Sequence, residues 1–300
     1  MSSTPLLIPA SRSRAEPALG GAALLLAASA VACLAAPLVE RLLGVDATTV
    51  DLLARLEPPS SRHWLGTDEL GRDLLARLLQ GGRVSLLVGL LGAMGATLLG
   101  VAIGLAAGFV GGRLDVLLMR LTDGVIALPL LPLLIVLAAL DPAKLGLPEA
   151  LASGGTAAVW RIVLLLTLFG WTTVARLTRA QVQALRRREF VLAAEALGSP
   201  PWRVALRHIL PNALGPVSVA ATLTVGQAIL TESVLSFLGL GIQPPLASWG
   251  NMLSGAQDLV FEAPRLAILP GVAIFVTVAA VNLAGERVRR RLDPRGPDRR

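Results

Sequence analysis

The sequence predicts an all-α integral membrane protein of about six transmembrane helices, and three observations carry that prediction. Of the 300 residues, 54% are hydrophobic and only 16% are charged, with a mean hydropathy of +0.69; an ordinary soluble domain carries about 25% charged residues. A single soluble core of this length cannot bury such a surplus, so most of it must face lipid. Apolar runs of roughly the 17 to 25 residues that a spanning helix needs occur at 19–39, 85–109, 121–140, 157–177, 213–235 and 266–285. Finally, the net charge of +7 comes from arginines at the ends of these runs, a pattern of membrane orientation rather than of nucleic-acid binding.

Taken in order, an N-terminal tail (1–18) precedes the first run, which follows Arg12 and Arg14 as a signal peptide would. Its apolar core exceeds the usual signal core of about 7 to 15 residues, so it reads as an uncleaved anchor helix at 19–39. The segment 40–84 mixes Asp46, Asp51, Glu57, Asp68, Glu69 and Asp73 with Arg41, Arg55, Arg62, Arg72 and Arg77 and is too polar to enter lipid. It is expected to form a small external amphipathic cap. Within it, Gly66 and Gly71 flank Thr67, Asp68 and Glu69, which suits a turn capping a helix better than a calcium loop.

The core follows at 85–285. Pro129 and Pro132 should kink the third run, either as a gate or as a static bend. Arg161 and Arg176 enclose the fourth and are expected to snorkel toward opposite headgroup layers. The connections 141–156 and 239–265 hold glycines and prolines, among them Pro244, Pro245 and Pro264, and should contain turns.

Six crossings place both termini on one side. They share it with Arg113, Arg120, the long loop 178–212 and the basic tail 286–300, and this side holds most of the 27 Lys and Arg. Both termini are therefore expected in the cytoplasm. Cys33 is the only cysteine, which rules out an intrachain disulfide or a cysteine-rich metal site. His63 and His208 lack a surrounding ligand cluster and are expected on the surface.

The long loop carries the mechanism. Helix formers run from Glu189 to Leu197, and Gly198 stands where a helix-terminating glycine turns left-handed. Ser199 suits a cap and Pro200 a first turn, so a second helix is expected from Trp202, ending before Pro211. Ala193 and Ala194 lack bulk and would admit a partner's surface, while Phe190, Leu197 and Trp202 supply apolar contact. Glu189 and Glu195 face Arg188, Arg203 and Arg207 in composition and would set register, with Arg186, Arg187 and Arg188 against anionic headgroups.

These residues resemble a known family, the inner-membrane permeases of ABC importers, in its dipeptide, oligopeptide and nickel group. The family's cytoplasmic loop reads E-A-A, three residues, G, nine residues, I, one residue, L-P. Ala193, Ala194, Gly198, Leu210 and Pro211 match in register, whereas Leu192 replaces the Glu and His208 the Ile. Four further stretches match in order: Leu65-Gly-Thr-Asp-Glu-Leu-Gly-Arg-Asp73; Ala127-Leu-Pro129; the run from Glu232 to Pro245 with Ser248-Trp-Gly-Asn251; and Asn282-Leu283 with Leu292-Asp-Pro-Arg295. The extra first span and its cap are similar to the C-type subunit.

The resemblance implies a heterodimer with a homologous permease, two ABC ATPase subunits gripping the two cytoplasmic loops, and an external solute-binding protein delivering peptides or related small solutes such as nickel complexes. It also implies that this chain is no enzyme and holds no cofactor, with ATP and Mg bound by the ATPases. A separate argument agrees: a phosphate-binding loop needs a lysine after a glycine-rich turn, and the only lysine, Lys144, sits between Ala143 and Leu145.

For the translocation path, Asp123 and Glu232 are candidates because ions within membranes tend to be functional; hydration or pairing at headgroup depth is the competing use. Thr224, Gln227 and Thr231 recur at helical spacing and either line a pore or bond to neighbouring helices. A secondary carrier would show inverted repeats and clustered intramembrane ions, neither of which the sequence contains. A DNA-binding use of the basic loop is disfavoured, since Pro200 and Pro201 open its second helix and both its ends are tied to spans.

Overall fold

The computed structural model describes residues 15–140 and 155–292, and among them no strand forms beyond an isolated bridge between Thr67 and Asp73. Three helices are long and apolar enough to cross a bilayer unbroken: α3 (Leu74–Val110), α9 (Pro201–Phe237) and Arg265–Arg290 within α11 (Arg265–Leu292). Three bent helix pairs are long and apolar enough to cross if each pair is taken as one span. Helices α1 (Ala15–Leu34) and α2 (Ala36–Leu43) meet at 55°, α4 (Gly112–Ala127) and α5 (Leu130–Ala139) at 82°, and α6 (Gly155–Gly170) and α7 (Thr172–Arg186) at 41°. Among the described residues there are also two short α-helices, α8 (Glu189–Ala196) and α10 (Trp249–Ala256), and single 3-10 turns at Leu52–Ala54 and Gln257–Leu259.

Several helices outrun the expected spans. Helix α3 starts at Leu74 rather than near 85, because Asp73 caps it by accepting from the Ala76 amide and because Leu74 is buried against Trp249 and Met252. Helix α7 continues to Arg186, so the connecting loop begins later than 178, and α11 carries the start of the expected tail. The break in the third crossing falls at Leu128 and Pro129, whereas Pro132 lies in the first turn of α5, where a missing amide costs nothing.

The expectation that a helix ends before Pro211 is overturned. The chain runs on through Pro211 as part of α9, because residues Val204–Ile209 form a wide turn in which the Leu210 amide bonds to the Ala205 carbonyl. Proline has no amide to donate and its ring collides with the carbonyl four residues back in a regular helix. A one-turn π bulge relieves both problems without breaking the rod.

Helix α3 is the central post, packed on α6, α7 and α9, while α11 packs on α1 and α9. Gly100, Gly104 and Gly108 recur every four residues on the α3 face toward α7. A Cβ at Gly104 would collide with the Ala175 carbonyl and with Thr178. A single hydrogen atom in place of each side chain therefore lets the backbones approach, as small residues do in membrane helix pairs. Two ion pairs tie α4 to α7: Arg179 forks onto both oxygens of Asp115, and Arg176 reaches Asp123. Arg176 is thus engaged by a carboxylate rather than snorkelling alone.

The cap, residues 44–73, is built around buried charges. Asp68 accepts from the Leu70 and Arg72 amides and from Arg72 Nε at 2.8 Å, with Arg77 Nε at 3.2 Å. His63, expected on the surface, is instead buried, its Nδ1 2.9 Å from Asp73 Oδ2. Gly71 has φ +73°, and any side chain there would overlap Asp51. Hydroxyl and amide bonds from Thr49 and Thr48 hold Asp46 below the usual carboxylate range. Arg265 donates to the Leu56 and Glu57 carbonyls, fastening the cap to α11. The carboxylates of the Leu65–Asp73 stretch are spent on this framework, and no group of three metal-ligating side chains occurs among the described residues.

Two outcomes check this packing. Gly104→Leu should destabilise the detergent-purified protein by about 2 kcal/mol or more, read as a lowered thermal midpoint, whereas Gly124→Ala, which meets open space inside a helix, should not lower it. Asp115→Arg should destabilise, and the swap Asp115→Arg with Arg179→Asp should recover most of the loss, with a coupling of about 1 kcal/mol.

Candidate functional site

Two features stand out: a knob at the end where α3 finishes, and a cavity between helices further along. The knob is α8 and the first turns of α9. Leu197 ends α8, Gly198 takes φ +79°, and the Gly198 and Ser199 amides close onto the Glu195 and Ala194 carbonyls at 2.9 and 3.1 Å. This is the glycine-terminated turn expected from the sequence. Ser199 does not cap the next helix; Pro200 takes the cap position and Pro201 the first helical one. Fixed φ and a dispensable amide make that order stable.

Val182, Val191, Ala194, Val204 and Ile209 form the knob's own core, against Leu105 and Phe109 of α3 and Leu185 of α7. Ala194 therefore points inward, and only Ala193 of the alanine pair is exposed. Outside, Leu197 is 87% and Trp202 62% exposed, with Phe190, Leu192 and Leu206 also open. Leu206, one helical turn beyond Trp202, was not singled out from the sequence, and Leu192 was noted there only as the residue in place of the family's Glu. Arg203 lies over the Trp202 ring at 5.3 Å. Glu189 and Glu195 are exposed and, among the described residues, pair with no arginine. Arg186 turns back onto the body, donating to the Phe109 carbonyl at 2.6 Å and stacking over its ring at 5.2 Å. Pro211 is exposed just beyond the knob, within α9.

A cavity of about 330 Å³ opens between α5, α6, α7 and α9. Thr224, Gln227 and Thr231 line it from α9, and Thr172 and Thr173 from the bend below Trp171. The last two escaped sequence reading because only the 41° bend turns them toward the others. Thr224 and Thr231 donate to carbonyls of their own helix, at Ala220 and Gln227, whereas Gln227 and Thr173 are the exposed polar residues of the lining. Leucines and Phe169 make the remaining wall. Pro129 marks the bend beside this cavity, since Leu130 and Leu134 of α5 border it.

Asp123 and Glu232 lie elsewhere. Asp123 is half exposed and engaged by Arg176. Glu232 is fully buried and accepts from Ser85 Oγ at 3.0 Å and Ser236 Oγ at 2.7 Å. Neither borders the cavity.

Comparison with known proteins agrees with this geometry. The family described as "Binding-protein-dependent transport system inner membrane component" matches residues 100–296. The chain is 39% identical over 260 residues to the oligopeptide transport system permease protein OppC of Bacillus subtilis (strain 168), covering 87% of this chain and 80% of that protein. It is 39% identical over 242 residues to the dipeptide transport system permease protein DppC of Alkalihalophilus pseudofirmus, 80% of this chain and 75% of the other. With the glutathione transport system permease protein GsiD of Pectobacterium atrosepticum it shares 37% over 239 residues, again 80% and 75%. Bent and unbroken membrane helices, a projecting glycine-turned knob and this breadth of similarity together assign the chain to the inner-membrane permease components of binding-protein-dependent ABC transport systems.

Proposed function

We propose that this permease imports peptides, and that its knob is the foot on which a separate ATPase subunit pushes. The observation that carries the reading is the knob's outer face, where Phe190, Leu192, Leu197, Trp202 and Leu206 are exposed beside Glu189, Glu195 and Arg203. An exposed apolar cluster rimmed by charges is the surface of a protein interface. Oligopeptide, dipeptide and glutathione are the cargoes named for the relatives, which supports peptides here.

On this reading the knob side is cytoplasmic and the cap side external, with both termini inside and the arginine-rich segments facing the cytoplasm. ATP and Mg are bound by two ATPase subunits, a homologous permease supplies the second half of the pore, and a solute-binding protein docks on the cap side. The cavity lined by Thr172, Thr224, Gln227 and Thr231 is this chain's share of the path. Threonine hydroxyls and one amide among leucines suit a cargo that must bind weakly enough to leave, and whose selection is made by the binding protein. Gly198 is the point where the foot turns, and Ala193 and Pro211 flank the contact.

Two measurements test this in the reconstituted complex. Gly198→Trp meets no neighbouring atom and strains the left-handed backbone by only about 1 to 2 kcal/mol, so the chain should insert and fold, yet uptake of a radiolabelled tripeptide should fall at least tenfold, on the order of a lost interface anchor. Gly198→Asn tolerates the left-handed backbone and should retain uptake; unchanged uptake with Gly198→Trp would refute the docking role. Gln227→Leu should lower uptake while leaving assembly and basal ATPase rate intact.

A further inference from the structure

The segment 238–256 turns back from the end of α9 and delivers α10 against α3. Its contacts are unusually close. A Cβ on Gly250 would strike Ser233, one on Gly82 would strike Trp249, and the Trp249 indole donates to the Leu78 carbonyl at 2.9 Å. Asn251 holds the segment's own shape, donating to the Leu246 carbonyl at 2.7 Å and accepting from the Ser248 amide at 3.0 Å.

Beneath it lies Glu232. Each of its two oxygens accepts one serine hydroxyl, and each of those hydroxyls accepts in turn a backbone amide of the segment. Ser85 on α3 takes the Trp249 amide at 3.2 Å, and Ser236 on α9 takes the Ile242 amide at 2.9 Å. The Trp249 amide is one of the free donors at the start of α10, which nothing within that helix can satisfy. A serine hydroxyl has one proton and two lone pairs; by taking both protons, Glu232 leaves lone pairs facing the two amides. Burying a carboxyl is unfavourable unless its oxygens are hydrogen-bonded, and both oxygens of the fully buried Glu232 are.

We propose that Glu232 is a positioning residue that ties the segment 238–256 to α9 and, through Ser85, to α3, so that the segment moves with that pair. Helix α9 has 37 residues, about 55 Å at 1.5 Å rise per residue, and runs unbroken from Trp202 in the knob to Ser236 beneath the segment. Displacement of the knob is thereby carried to the opposite side of the protein, where the segment forms part of the surface next to the cap. The inference rests on the knob being driven by an ATPase, as proposed above.

The test is hydrogen–deuterium exchange on the full permease–ATPase complex in nanodiscs, with and without ATP and vanadate. In the parent, nucleotide trapping should alter exchange across 238–256. Ser85→Ala should speed exchange of the Trp249 amide about tenfold and spare Ile242; Ser236→Ala should do the reverse, each consistent with loss of one hydrogen bond that guards a local opening. Glu232→Leu should expose both amides and abolish the nucleotide response, and Glu232→Gln, with one acceptor oxygen, should keep part of it. General destabilisation would expose both amides in either serine variant, and that result overturns the proposal. So does a Glu232→Leu complex, or a parent, whose segment fails to separate as stated: the variant responding like the parent, or the parent not responding at all. Failure of the ATPases to co-purify with the parent refutes the driven knob instead, while the residue-specific pattern of the two serine variants still decides the latch.

Discussion

Backbone hydrogen bonding in lipid is the constraint on which this structure depends. No water is available inside a bilayer to satisfy an open amide or carbonyl, so every crossing must be helical or have its breaks covered. Helix α9 meets the demand through the π turn at Val204–Ile209, which absorbs Pro211 and lets one rod extend from the knob to Phe237. Had the helix ended before Pro211, the knob would hang on a flexible joint. As it stands, the knob's buried valines and Ile209 clamp the rod's lower end to α3 and α7.

The same constraint explains the bent crossings. At Leu128 and Pro129 the missing proline amide removes a donor that would otherwise be orphaned, and α5 restarts at Leu130 with a large change of direction. At Trp171 the bend is smaller, and the indole donates to the Leu168 carbonyl at 2.8 Å. These two bends shape the cavity: one brings α5 alongside, the other turns Thr172 and Thr173 inward to join Thr224, Gln227 and Thr231. A polar lining thus results from how helix breaks are repaired as well as from which residues are present.

The crossings and the knob's turn were legible in the sequence because each rests on a local property. Apolar length reports a span, and glycine after a run of helix formers reports a left-handed stop, as at Gly198. What was not legible depended on partners distant in the chain. His63 looked like a surface residue because Asp73 becomes its partner only when the cap folds; Ala194 looked available because Val182, which helps cover it, lies on another helix. Glu232 was visible as a charge near the end of a span, but its role needed Ser85, far away on α3. Only the Ser236 contact, one helical turn on, could have been read from spacing. Pro211 misled for a different reason: its usual effect is to stop a helix, and a wide turn just before it is not encoded by any residue type that stands out.

Coverage of the exposed knob face by the proposed nucleotide-driven partner can be measured directly. Cys33 is the only cysteine and is buried, so a Cys33→Ala chain carrying Leu197→Cys offers one reactive thiol at a residue now 87% exposed. Its modification by a membrane-impermeant maleimide should be measured in inverted and right-side-out vesicles, with and without the ATPase subunits. Rapid labelling in inverted vesicles alone, strongly suppressed when the ATPases are bound, is the result predicted. Labelling from the external face, or labelling that the ATPases leave unchanged, would contradict the account.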